Sequence, residues 1–192
     1  MIYIDFLVKK QLETQAFLIA LTCFSTIMQK QSWKPQQLLL SIKKRAKTMD
    51  DVKNISIRAV VQSDMDAVIE LIQSMSEFKP SKSEYLPIWN SFCQQTNVHS
   101  LVAVIGTQIV GYGSIVVETK IRGGKMGHIE DIVSHSLFRK KGIGKAIVDA
   151  LFDVAKVNGC YKVALQCKEY NVKFYEKCGY EVSGLVMQIF VK

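Results

Sequence analysis

Much of what would place this chain quickly is missing from it. Its five cysteines, Cys23, Cys93, Cys160, Cys167 and Cys178, are odd in number and include no Cys-x-x-Cys pair, so neither a disulfide framework nor a zinc site is expected. No other metal centre is expected, and a reducing cytoplasmic compartment fits best. The apolar stretch 16–28 holds thirteen residues, too few to cross a bilayer, so no stable membrane insertion is expected. A signal peptide fits poorly: no small-x-small cleavage site follows, and Asp5 and Glu13 lie where that segment should be basic. Internal repeats and low-complexity tracts are absent. So are both common nucleotide motifs: Ile147 occupies the position of the third glycine of the dinucleotide fingerprint, and Gly144-Lys145-Ala146 lacks the Ser or Thr of a Walker loop.

What remains suits one globular domain with an appendage, since 48% of 192 residues are hydrophobic. The net charge of +8 is uneven: residues 1–48 contribute +6, and residues 49–192, with 17 bases against 15 acids, contribute +2. The larger part is therefore nearly neutral, and nucleic acid is not the expected partner. Residues 1–48 read as a basic and apolar extension of one or two amphipathic helices. A rival explanation is that Met49 is the natural start.

The positive charge of residues 49–192 gathers in one place. Arg139, Lys140, Lys141, Gly142, Ile143 and Gly144 follow a strand-like run at 127–133 and open a long helix that continues through Lys145. A turn with two glycines at a helix start directs several backbone N–H groups into one small volume, where the helix dipole also favours negative charge. A lone Gly-x-Gly can equally be a solvated basic loop that caps a helix. The strand-to-helix context points instead to a polyanion, a diphosphate above all.

Arg-x-x-Gly-x-Gly at such a turn resembles the pyrophosphate-binding motif of the GNAT superfamily of acetyl-CoA-dependent N-acetyltransferases. The resemblance extends in order through Gly127-His-Ile-Glu-Asp-Ile-Val133, Gly159-Cys-Tyr-Lys-Val163 and Asn171-Val-Lys-Phe-Tyr-Glu-Lys-Cys-Gly-Tyr180. Together these segments are similar to the eukaryotic-type glucosamine-6-phosphate N-acetyltransferases over about half of the domain 49–192. From 55 to 125 the similarity is one of pattern only. The resemblance implies a mixed, twisted α/β (α+β) GNAT fold, with a six- to seven-stranded sheet and about four flanking helices. It also implies acetyl-CoA as cofactor, a small-molecule amine as acceptor, and a homodimer.

The elements follow from periodicity and turn chemistry. A strand is expected at 55–60, then a helix from the N-cap Ser63 to about residue 76 with Val68, Leu71, Ile72 and Met75 in the core. After the break at Pro80 a second helix spans 83–95, with Tyr85, Leu86, Trp89 and Phe92 on one side. Strands at 101–105 and 109–117 form a hairpin about Gly106. The helix 142–158 buries Ile143, Ile147, Leu151 and Val154 and ends at Gly159. A strand at 162–167, a short helix at 171–177 and one or two strands within 181–191 complete the chain. Cys160, Cys167 and Cys178 read as small buried apolar side chains.

Attack of an amine on a thioester makes three demands. A primary amine with a pKa near ~10, like that of lysine, must lose a proton. Glu130 and Asp131 are the candidates that shape this end, and as neighbours on a strand their side chains are expected on opposite faces. The resemblance places this pair at the sugar site, with His128 next to the reaction and the proton leaving through ordered water. Charge pattern alone allows another reading, two rim carboxylates paired with Lys125 or Lys162. The carbonyl oxygen must be stabilised, and the resemblance assigns this to the main chain of Ile132 and Val133, on a strand that splays from its neighbour. The thiolate must leave, and the resemblance directs Tyr175 at its sulfur; the plainer reading is a core aromatic. By the same resemblance Asn171 bonds the pantetheine arm and Lys177 reaches a phosphate.

Two positions depart from the family. Gln166 stands where a carboxylate helps hold the acceptor amine, and Phe190 where an arginine grips the sugar phosphate. Lys120, Tyr161 and Lys162 are the substitute substrate ligands. Three readings stay open: glucosamine-6-phosphate acetylation, acetylation of another small amine or a protein lysine, and a non-catalytic acyl-CoA-binding module.

Overall fold

Runs of β-branched and small apolar residues, which suit a pleated surface buried on both sides, build the sheet. In the computed structural model, which describes residues 55–190, these runs form β1 (Ile55–Ala59), β2 (Val98–Ile105), β3 (Gln108–Thr119), β4 (Lys125–Ser134) and β5 (Cys160–Leu165). The extension 1–48 lies outside the described residues. The strands lie side by side in the order β1-β2-β3-β4-β5; the first four are antiparallel and β5 runs parallel to β4. Antiparallel neighbours need only short turns, and β2 and β3 are joined at Gly106, whose φ of 59° suits a residue without a Cβ. The parallel step needs a crossover, and the helix α3 (Ile143–Val157) supplies it.

Ile143, Ile147, Leu151 and Val154 form the buried face of α3, each at most 1% exposed. The helix sits unusually close to β3. A Cβ on Gly111 would lie 2.7 Å from both Ile143 Cγ2 and Ile147 Cδ1, and one on Gly113 would lie 2.7 Å from Ile147 Cγ2. Tyr112, between these glycines, points the other way and packs with Val68 and Leu71 of α1 (Met65–Ile72), and with Val133 of β4. Adjacent strand positions face opposite sides, so α1 and α3 cover opposite faces of the sheet.

Several local expectations are corrected. The first helix begins with a 3-10 turn at Gln62–Asp64 and ends at Ile72, leaving Met75 49% exposed beyond it. Its start is secured not by Ser63 but by Asp64, whose carboxylate accepts the Val61 N–H at 2.9 Å and both guanidinium ends of Arg58. Asp64 can do both because it is buried against the β1 end, where Arg58 is within reach. The second helix, α2 (Tyr85–Cys93), half-buries Tyr85, Trp89 and Phe92 but leaves Leu86 exposed. No strand forms among the described residues after Tyr180, so the sheet has five strands rather than six or seven. Among the described residues the tail 181–190 pairs with no strand, and Leu185, Met187, Ile189 and Phe190 are almost wholly exposed.

Candidate active site

The centre of the site is an irregularity in β4. Tyr112 pairs with Val133 and Ser114 with Glu130, so Asp131 and Ile132 together oppose the single residue Gly113. This is a β-bulge. Asp131 carries its strain at φ 54°, a conformation that L residues seldom adopt. Glu130 and Asp131 are both exposed at the bulge, while Ile132 turns toward α3. Neither carboxylate joins an ion pair among the described residues, so the rim pairing with Lys125 or Lys162 is not formed.

At the same level the sheet opens. Pairing between β4 and β5 ends at Ile129 with Leu165, whereas β4 continues to Ser134 beside β3 alone. Among the described residues the β5-facing backbone of β4 from Glu130 onward has no strand beside it, and an extended ligand can add there as a strand would. The splaying expected from the resemblance is thus present, and Ile132 and Val133 lie on the open stretch.

Beyond the opening, the chain passes a 3-10 turn (Ser136–Phe138) and enters the basic loop. Lys140 at φ 60° and Gly142 at φ 81° are both left-handed, and Gly142 is the N-cap of α3. The first helical bond of the turn runs from Ala146 N to Gly142 O, 2.9 Å, so the N–H groups ahead of Ala146 have no carbonyl one turn back and point out of the helix end. Arg139, Lys140 and Lys141 are exposed around it. Lys141 lies over the Phe138 ring, 4.9 Å from its centroid. Such a donor set, convergent N–H groups ringed by cations, fits a diphosphate. Two members have further contacts of their own. Ile143 is buried and offers only its backbone, and Lys145 is held by both Asp149 oxygens at 3.0 Å. The second glycine, Gly144, also has a packing duty: a Cβ there would stand 3.2 Å from Phe174 Cζ.

That contact brings α4 (Val172–Lys177) against the start of α3. Asn171 is the N-cap of α4, but its side chain makes no capping bond, and Lys177 is exposed at the other end. Tyr175 packs edge-on to Phe174, with centroids 4.9 Å apart, and 6.2 Å from Tyr180. Burial pushes its phenol up to about 12, with the neighbouring Cys167 and Cys178 adding to the shift. The group is therefore a neutral hydrogen-bond donor across the physiological range, rather than a ready source of protons.

The acceptor side is less complete. Gln166 directly follows Leu165, the partner of Ile129, and so stands level with Glu130. His128 is bonded to Glu118, Nε2 to Oε2 3.2 Å, which is the plainer of its two readings. Lys120, Tyr161 and Lys162 are not brought to this place. They sit around the β3–β4 loop and the start of β5, where Lys125 pairs with Cys160. From Lys125 to Glu130 is five strand steps of about 3.3 Å, roughly 17 Å. Two of them are also engaged there: Lys120 binds the Glu118 carboxylate, and Arg122 Nη2 donates to the Tyr161 hydroxyl at 3.1 Å. Sequence reasoning missed a buried trio of hydroxyls, Ser100, Tyr112 and Ser114, behind the bulge. Its only signal is polar residues at the centres of two otherwise apolar strands.

Among the described residues no cluster of His, Cys, Asp and Glu is arranged to hold a metal, and no helix is long and apolar enough to cross a membrane. Residues 65–180 match the acetyltransferase (GNAT) family. The chain is 38% identical over 143 residues to glucosamine 6-phosphate N-acetyltransferase 1 of Dictyostelium discoideum, covering 71% of this chain and 91% of that one. It is 30% identical over 154 residues to the glucosamine 6-phosphate N-acetyltransferase of Trypanosoma brucei brucei, covering 73% and 99%. Among solved structures, the glucosamine-6-phosphate N-acetyltransferase from Arabidopsis thaliana superimposes with a TM-score of 0.67 at 33% identity, covering 72% of this chain and 99% of that one.

Proposed function

This chain belongs to the acetyltransferase (GNAT) family, and on that footing we propose that it transfers the acetyl group of acetyl-CoA to the amine of glucosamine 6-phosphate in the cytoplasm. The observation that carries this reading is the succession of the bulge, the open edge of β4 and the basic loop at the start of α3. A diphosphate at the loop directs an extended arm along β4 and ends at Glu130 and Asp131. When bound, acetyl-CoA supplies the reactive thioester; the chain does the rest.

Arg139, Lys140, Lys141, Gly142, Ile143 and Gly144 hold the diphosphate through main-chain N–H groups and charge, with Asn171 and Lys177 closing from α4. The N–H groups of Ile132 and Val133 stabilise the carbonyl oxygen as charge builds on it. Glu130 and Asp131, both unpaired and solvent-facing, orient the acceptor amine and pass its proton to water. Tyr175, held neutral by burial, donates a hydrogen bond to the departing sulfur. Gln166 contributes an amide to the acceptor in place of a charge. Phosphate recognition by Lys120, Tyr161 or Lys162 within the same chain would require the acceptor to span about half of β4, so these residues are better placed to serve a neighbouring protomer.

The tail supports a homodimer. An exposed apolar segment after Tyr180 and an edge of β5 that is unpaired among the described residues are liabilities in isolation and pairing surfaces for a second copy. Cys160, Cys167 and Cys178 are free thiols, which suits the reducing compartment.

A second reading keeps the reaction and changes the acceptor to another amine, on account of Gln166 and Phe190. Thiol release from acetyl-CoA, measured with glucosamine 6-phosphate, glucosamine, polyamines and a lysine peptide, separates the two. Turnover with the sugar phosphate alone supports the first reading. Turnover with another amine alone supports the second, and tight CoA binding without turnover defeats both.

A further inference from the structure

Behind the bulge lie polar groups that the transfer scheme leaves unused. Ser100, Tyr112 and Ser114 are 6%, 7% and 5% exposed, amid fully buried neighbours such as Val102, Val110 and Ile115. Hydroxyls in such a place are costly unless bonded. Ser100 Oγ and the Tyr112 hydroxyl are 3.1 Å apart, Ser114 interacts with the same phenol, and Ser114 Oγ donates to the Glu130 carbonyl at 3.4 Å. Burial keeps the phenol protonated, since its pKa is raised, chiefly by desolvation. The Tyr112 ring packs on Val133, its pairing partner across the sheet. One side chain and its partners therefore grip the bulge at both ends: at Glu130, where it begins, and at Val133, where the register resumes.

A proton relay would need an outlet, and Ser100, at the far end of the trio, is itself buried in the sheet. The arrangement suits holding a shape. A residue other than glycine stays at positive φ only where its surroundings over-determine it, and Asp131 stands between the two gripped ends.

We propose that Tyr112, acting through Ser100 and Ser114, is a positioning residue that locks the Glu130–Val133 bulge, and with it the two carboxylates and the N–H groups of Ile132 and Val133. The inference rests on the reading of this bulge as the acyl-transfer site. Tyr112→Phe keeps the ring and removes one oxygen; Ser114→Ala cuts the link to Glu130, and Ser114→Thr retains it. With whichever amine the full-length chain turns over, Tyr112→Phe and Ser114→Ala should lower kcat about ten- to hundred-fold, the scale of a small misplacement of reacting groups. CoA affinity by titration calorimetry should change less than about threefold, because the loop and α3 are untouched. Ser114→Thr should restore most of the rate. Amide hydrogen exchange at Ile132 and Val133 in the ligand-free variants should quicken relative to the rest of the sheet. Unchanged kcat with unchanged exchange overturns the proposal. So does an equal loss of CoA affinity and turnover with faster exchange throughout the sheet, which marks general loosening. Should the unsubstituted chain turn over no amine, the activity reading falls, while exchange at the two amides still decides for or against the lock.

Discussion

Replacing Gly113 with alanine tests the seating of α3 on the sheet and its link to the bulge. The added methyl would lie 2.5 Å from Ile132 Cδ1, 2.7 Å from Ile147 Cγ2 and 3.2 Å from Leu151 Cδ1. Carbon atoms rest about 3.5–4.0 Å apart, so two of these contacts must open by roughly 1 Å. Ile132 can yield, because its Cδ1 is the end of a rotatable side chain. Ile147 cannot, because it is fully buried and β-branched on a helix, where one rotamer dominates. Relief must come from α3 itself. Overpacking of this kind costs about 1–3 kcal/mol, and the stiffer unfolded chain returns about 0.4–1 kcal/mol. At about 3 °C per kcal/mol for a domain of this size, a net cost of up to about 2.6 kcal/mol should lower the melting temperature by up to roughly 8 °C. Because the movement that relieves the clash also displaces Ile132, kcat measured well below melting should fall too. Gly106→Ala is the control, since no atom lies within 4 Å of its Cβ and only the φ of 59° is strained; it should cost about 1 kcal/mol and spare the rate. A Gly113→Ala protein that melts within about a degree of the original, with unchanged kcat/KM, would refute this account of how helix and bulge are joined.

Gly142→Asp places a carboxylate at the N-cap of α3, in a left-handed position that aspartate tolerates, and should weaken CoA binding by calorimetry about tenfold or more while the fold persists. Tyr175→Phe should lower kcat about ten- to hundred-fold, the worth of a hydrogen bond to a charged group, with CoA affinity nearly unchanged. With the Tyr175 phenol pushed up to about 12, the rate should rise with pH as the amine deprotonates, and no descending limb should come from this residue below about pH 11; a fall near pH 10 that vanishes in Tyr175→Phe would contradict it. Asp64 is held below its usual pKa, chiefly by its hydrogen bonds to Arg58. Its contribution is therefore full above the unfolded value of about 4 and lost as pH falls through the folded one. Asp64→Asn should cost about 1–2 kcal/mol in urea unfolding at neutral pH, and the gap should narrow in acid.

The most legible elements were those in which a residue type has one physical use. Two glycines before an amphipathic run announce a helix start with outward N–H groups, and Ile143, Ile147, Leu151 and Val154 are as deeply buried as their spacing requires. The bulge was not legible, because it needs only one extra residue and leaves no compositional trace: Glu130-Asp131 reads as ordinary alternation until the register across Gly113 is known. Asp64 and Ser63 compete for one cap, and only the position of Arg58 decides between them. Lys120, Tyr161 and Lys162 share a plausible chemistry with the site, but the sheet separates them from it by half the length of a strand. The tail after Tyr180 alternates like a strand, yet pattern alone cannot supply an edge for it to pair with.

The glycines of β3 tie these observations together. Gly111 and Gly113 let α3 approach so closely that the helix cannot slide, and the N-terminus proposed to receive the diphosphate is therefore fixed relative to β3. On the other face, Tyr112 fixes the bulge relative to the same strand. One strand thus sets both ends of the path along which an acyl chain must lie, the anchoring loop through its glycines and the reacting end through its tyrosine. A thioester placed by two rigid attachments to a common strand needs little further ordering at the moment of reaction, which is where positioning contributes most to rate. Neither attachment uses a side chain that touches the ligand, so substitutions in β3 should alter turnover from beneath the site without entering it.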